Sequence, residues 1–134
     1  MTSFSFRLEG YADFIRNNPS DFDGVYRKIV HEVPRFLMAV EPARRAEILE
    51  TGPSLTGTRW DALLAGIAEH LAGLHGLDVP AWCDESTRFI NPPWVVIKAV
   101  GSRSVVRAPA AFLRHGALPD PMDLDARGGE PDPW

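Results

Sequence analysis

A single cysteine, Cys83, stands among 134 residues, so no internal disulfide framework is possible. That usage fits a reducing compartment, and the cytoplasm is the expected location. No run approaches the roughly 18 apolar residues of a membrane span, and the opening Met1-Thr2-Ser3-Phe4 lacks a basic region followed by an apolar block. The spacings that announce common chemistries are missing as well. There is no CxxC or HExxH for a metal, no GxSxG elbow for a serine nucleophile, and no GxxxxGKS/T or GxGxxG loop to cradle a phosphate. A net charge of −4 argues against a general nucleic-acid coat. Hydrophobic residues at 45% and charged residues at 24% are ordinary for a folded chain and argue against wholesale disorder.

What is present is an uneven charge layout. Residues 1–85 balance to −5, residues 86–119 carry Arg88, Lys98, Arg103, Arg107 and Arg114 with no acid, and residues 120–134 balance to −4. A positive stretch attracts phosphate or an acidic partner, and an acidic tail reaches a basic one. The same charges serve equally as solvated faces that pair with each other in the fold.

Apolar periodicity predicts helices through the first two-thirds. Leu8, Tyr11, Ala12 and Ile15 form one short stripe, and Asn17-Asn18-Pro19-Ser20 breaks it, with Ser20 placed to cap the next helix. Phe22, Val25, Tyr26, Ile29, Val30 and Val33 extend a second stripe, which Pro34 ends or bends. A third helix is expected over 42–49. The best-specified one carries Trp60, Leu63, Leu64, Ile67, Ala68, Leu71 and Leu74, with Thr58 as cap, Asp61 in the positive first turn, and His75-Gly76 at its end. This helix is expected at the centre of the core. Val79-Pro80-Ala81-Trp82 and Asn91-Pro92-Pro93-Trp94 read as proline–aromatic corners, 94–100 has strand propensity, and 108–116 reads as one more short helix. The whole predicts a mainly α domain of about five helices over 1–125, with a short irregular or β-containing segment near 94–107. Residues 126–134 then form a flexible acidic tail.

Candidate chemistry is sparse. His70 and His75 lie five positions apart, about 140° around a helix, with only Glu69 and Cys83 near in sequence as further metal ligands. His75 is explained as a cation at a helix end, and Cys83 beside Trp82 as a small core residue. Asp120, Asp123 and Asp125 lack the glycine and closing glutamate of a calcium loop. Trp60, Trp82 and Trp94 suit core packing, whereas Trp134 at an acidic end suits either a docking anchor or simple disorder. Neither a metal nor a cofactor is called for.

From Thr58 onward four blocks occur in order: Thr-Arg-Trp-Asp-Ala-Leu-Leu-Ala-Gly-Ile-Ala-Glu-His-Leu (58–71), Gly-Leu-Asp-Val-Pro-Ala-Trp (76–82), Arg-Phe-Ile-Asn-Pro-Pro-Trp (88–94) and Ala-Pro-Ala-Ala-Phe-Leu-Arg-His-Gly (108–116). Over about residues 55–125 they resemble a domain of actinobacterial proteins that commonly follows an Xre-type helix-turn-helix. That family includes antitoxin or regulator components of toxin–antitoxin pairs, beside a nucleotidyltransferase-like toxin. The resemblance implies a helical, non-enzymatic protein-binding module with such a toxin as partner. Residues 1–50 read as a helical extension of the same core rather than as a helix-turn-helix, and the family's arginine-rich 112–116 block is reduced to Arg114 and His115.

The contact surface expected on this reading comprises Arg88, Arg103, Arg107, Arg114 and His115 with the corner tryptophans Trp82 and Trp94, arginine and tryptophan being the residues that dominate interface hot spots. The tail acids, Asp123 among them, could instead cover a basic cleft on the partner. Alternatives are nucleic-acid binding through 86–119 with steep salt dependence, an enzyme using His70, His75 or Cys83, and a structural homodimer. Oligomeric state is left open.

Overall fold

The computed structural model describes residues 6–127, and at 102, 103 and 125–127 the backbone alone. The protein is mainly helical: α1 (Glu9–Asn17), α2 (Phe22–Arg27), α3 (Val33–Ala39), α4 (Pro42–Glu50), α5 (Trp60–Leu74), α6 (Gly101–Arg107), α7 (Ala110–His115) and α8 (Pro121–Arg127). Two short strands, β1 (Trp94–Val95) and β2 (Ala117–Leu118), pair in parallel. No helix among the described residues is long and apolar enough to cross a membrane.

The second predicted stripe is one helical run with a defect in it. Between α2 and α3, Lys28–Glu32 is a π turn, and the Val33 N–H reaches back to the Lys28 carbonyl. Pro34 follows in the first turn of α3 and is buried. Proline lacks an N–H, and its ring collides with the carbonyl four residues earlier, so a widened turn lets the helix pass through it. Pro34 therefore neither ends the run nor opens a loop. The cap of α2 is Asp21 rather than Ser20, with its carboxylate accepting from the Gly24 N–H at 3.0 Å.

The α5 helix is buried on nearly every side, from Trp60 to Ala72, as a central helix must be. Leu74 is the exception to the predicted stripe, 48% exposed at its end. The stop is a hydrogen-bonded reversal. The Leu77 N–H bonds the Ala72 carbonyl at 2.7 Å and the Gly76 N–H bonds Gly73, with Gly76 at φ +69°. At its start the Thr58 hydroxyl accepts from the Trp60 N–H at 3.2 Å. Asp61 does more than sit in a positive field: its carboxylate accepts from the Thr56 and Gly57 N–H groups, each at 2.9 Å, and so folds the 51–58 connector onto the helix.

Phe112 of α7 lies fully buried against α5, where a Cβ on Gly66 would stand 2.9 Å from its ring. Helix α7 ends at Gly116, φ +80°, where any Cβ would collide with the Ile90 carbonyl oxygen. That close approach starts the strand pairing: Ile90 N–H bonds His115 O, Trp94 N–H bonds Gly116 O at 2.7 Å, and Val96 N–H bonds Leu118 O.

The mainly α class with a short irregular and β-containing segment is as expected. The described residues divide into more helical segments than the five stripes, because the proline-rich linkers separate turns too short to register as stripes. Within the 94–107 segment the strand is 94–95, and 101–107 is helix α6. Its strand partner, 117–118, has no alternation to reveal it. The expected tail boundary at 126 falls inside α8, which runs to Arg127 and buries Leu124; the rest of the expected tail, residues 128–134 with Trp134, lies outside the described residues.

Candidate interaction surface and the charges withdrawn from it

The five cations of the 86–119 segment meet different fates. Arg88 is 1% exposed. Its Nη2 donates to Pro53 O at 2.6 Å, Nη1 to Asp61 O at 3.3 Å, and Nε to the Glu85 carboxylate at 3.1 Å. The guanidinium also lies 4.7 Å from the centroid of Trp82, whose own Nε1–H donates to Leu49 O at 2.7 Å. A buried cation is tolerable only when its donors are paired. Arg88 meets that condition by tying the connector, the start of α5 and the 81–88 turns into one unit.

Arg114 is partly exposed but fully engaged. It grips Glu69 with Nε at 3.0 Å and Nη2 at 2.8 Å, reaches Asp84 at 2.8 Å, and covers the Phe89 ring. His115, wholly buried, sets Nε2 2.8 Å from the same Glu69 carboxylate and Nδ1 2.7 Å from Arg88 O. Its ring stacks on Phe89 at 4.5 Å. Both imidazole nitrogens thus lie within hydrogen-bond distance of oxygen atoms. Burial works against the Glu69 carboxylate, but the hydrogen bonds from Arg114 and His115 outweigh it and hold the group below its ordinary range.

Trp94 is 9% exposed and meets Trp60 edge to face at 5.1 Å, with the Arg59 guanidinium over it. Asp123 on α8 accepts from the Tyr26 hydroxyl at 2.6 Å and lies 3.7 Å from His31 Nε2. The same hydroxyl accepts from the Asp120 N–H at 3.1 Å. Asp123 therefore latches α8 to α2 and the π turn.

The eight expected contact residues do not share one surface. Arg88, His115 and Trp94 are interior, Arg114 and Asp123 are committed to internal partners, and Trp82 is half-buried under Arg88. Arg107 is exposed at the end of α6, while the Arg103 side chain lies outside the described residues. Sequence spacing missed the neighbours of Arg107. Ser104 points inward, its hydroxyl donating to Pro119 O, so the next two positions turn outward: Val105 is 51% and Val106 80% exposed. Leu113 on α7 and Met122 on α8 are half exposed as well. The signal in the sequence was two β-branched residues beside an arginine in a stretch without acids.

The residues weighed for catalysis are displaced from their ordinary titration by their surroundings. Cys83 is fully buried with its thiol near Ala65 O, and burial pushes it up to about 12, away from the reactive thiolate. Burial lowers His70, and burial together with Arg45 lowers His75. His75 is the C-cap residue of α5, at the helix end where the sequence put it. Among the described residues no three His, Cys, Asp or Glu side chains converge to hold a metal.

No family model matches the chain, and no curated protein and no solved structure matches it either.

Proposed function

We propose that the chain is a non-enzymatic protein-interaction module, similar to the antitoxin or regulator component of a toxin–antitoxin pair, and that α6 is its contact face. The observation that carries the reading is the Val105-Val106-Arg107 end of α6. It presents two apolar β-branched side chains to solvent beside an exposed cation, in a segment without acids. Isolated exposed apolar residues need no explanation, but adjacent ones flanked by charge are what an interface centre and rim require. Arg88 and Arg114 act as the scaffold behind this face, since their charges are spent internally. The partner that the four-block resemblance supplies is a nucleotidyltransferase-like toxin with an acidic, partly apolar patch.

The test is co-purification of the tagged chain from its source cells, washed at low and high salt, alongside a Val106→Asp, Arg107→Glu variant. The expected result is one stoichiometric nucleotidyltransferase-like protein that survives high salt and is lost with the variant. Nucleic acid recovered only at low salt, or a partner retained undiminished by the variant, overturns the reading.

A further inference from the structure

Far from α6 along the chain, α1 and the π turn line an open cleft of about 480 Å³ that the interaction reading does not use. Its walls are Phe6, Tyr11, Phe14 and Phe36, and its polar groups are Arg7, Lys28 and Glu32. The volume falls within the roughly 300–1,000 Å³ of small-molecule sites, which typically combine apolar walls with a few placed polar groups.

The charges discriminate between ligands. Lys28 Nζ lies 3.2 Å from the Glu32 carboxylate and 4.9 Å from the centroid of the Phe14 ring. One aromatic face is thus already occupied by a cation, and the one acid already has its counter-ion. Glu32 also faces the Tyr11 hydroxyl, whose proton is held more tightly by burial and by that carboxylate. Arg7 is different: it is exposed and makes no ion pair or side-chain hydrogen bond among the described residues. The unspent charge of the cleft is therefore positive and planar, suited to bidentate recognition of a carboxylate.

Gly10 is the second observation. It lies in the first turn of α1 on the cleft wall, where an added Cβ would meet nothing within 4 Å. Neither a positive φ nor close packing calls for glycine there, although glycine disfavours a helix. What its absence of a side chain does achieve is to leave the cleft open.

We propose that this cleft binds a small carboxylate with an aromatic or similarly flat apolar body, the carboxylate on Arg7 and the body against Phe36 and the part of Phe14 that Lys28 leaves uncovered. Phe6 meets Tyr11 and Phe36 edge to face at 5.9 and 5.6 Å, so the walls are mutually braced before any ligand arrives. Gly10 lets the ligand lie close to the backbone of α1.

The experiment is titration of the full chain with 2-naphthoate, followed by amide chemical shifts, against the neutral 2-naphthalenemethanol and a naphthyl trimethylammonium salt. Saturable shifts confined to residues 6–14 and 28–36, with naphthoate the tightest of the three, are expected. Arg7→Gln weakens naphthoate by about tenfold or more and leaves the alcohol unchanged. Gly10→Leu abolishes binding of both while leaving the melting temperature unchanged or raised. The proposal is overturned if naphthoate gives no saturable shift at millimolar concentration, if the ammonium salt binds best, or if Arg7→Gln weakens the alcohol and the acid equally.

Discussion

Helices α6 and α7 come from the same acid-free stretch, have almost the same length and both carry a cation in their last turn, yet they do opposite work. Helix α7 turns Phe112 and His115 into the interior and spends Arg114 on Glu69 and Asp84. Helix α6 anchors itself through the buried Ser104 and leaves Val105, Val106 and Arg107 outside. The difference lies in what each meets. The first lies along α5 at Gly66, where a ring can approach the backbone; the second rests on β1 and α8 and has no such groove. Charge density along a sequence says nothing about which cations reach solvent.

The contrast can be broken most forcefully at Phe112. Phe112→Ala removes a fully buried ring over Gly66 and should cost about 3–5 kcal/mol, whereas Val106→Ala should stay within about 0.5 kcal/mol. Urea midpoints of the two variants measure the difference, and equal losses would remove the distinction between the helices. Next in size is Arg88→Met. It strands the Pro53 and Asp61 carbonyls and leaves the Asp61 carboxylate without its buried counter-charge, at about 3 kcal/mol or more. A denaturation curve matching wild type would show that Arg88 is dispensable to the fold.

A smaller effect follows from pH. The folded values of His70 and Glu69 both lie below their ordinary 6.5 and 4.5. For each, the unfolded chain binds the proton first on acidification, so stability is full above the ordinary value and falls as pH drops through the folded one. Melting temperature should therefore decline in two stages, first below pH 6.5 and again below 4.5. His70→Asn should shrink the first stage, which it shares with His75, and Glu69→Gln the second, which it shares with Glu9; a variant that leaves its stage undiminished refutes the corresponding assignment. The smallest expected change is in stability on Arg107→Glu, which should leave the melting curve unaltered because nothing internal depends on that side chain. Arg114→Glu should lower it, since Glu69 and Asp84 would then face a like charge.

Much of the scaffold was readable from periodicity. The α1 stripe, α4, α5 with its glycine stop, and α7 with proline before and glycine after all follow from spacing of three and four and from local backbone chemistry. The misses share a cause. The π turn before Pro34, the two-residue strands and α8 are each too short to carry a period, and each is held by something distant. Strand β1 needs Gly116 and Leu118, α8 needs Tyr26, and the helical run through Pro34 needs its buried setting. The expected contact surface fared less evenly. Arg107 is exposed at the end of α6, but Arg88 and Arg114 were indistinguishable from it in sequence.

The chain by itself determined the helical class, the central place of α5 and the points where α5 and α7 stop, because these depend on residues within one or two turns of each other. Only the tertiary structure decided which charges are spent and which are offered. Arg88 meets Pro53 across 35 positions, Arg114 meets Glu69 across 45, and Tyr26 meets Asp123 across 97. Pairings at such separation exist only once the core has brought their elements together, and cations left outside them, Arg107 and Arg7 among them, face outward.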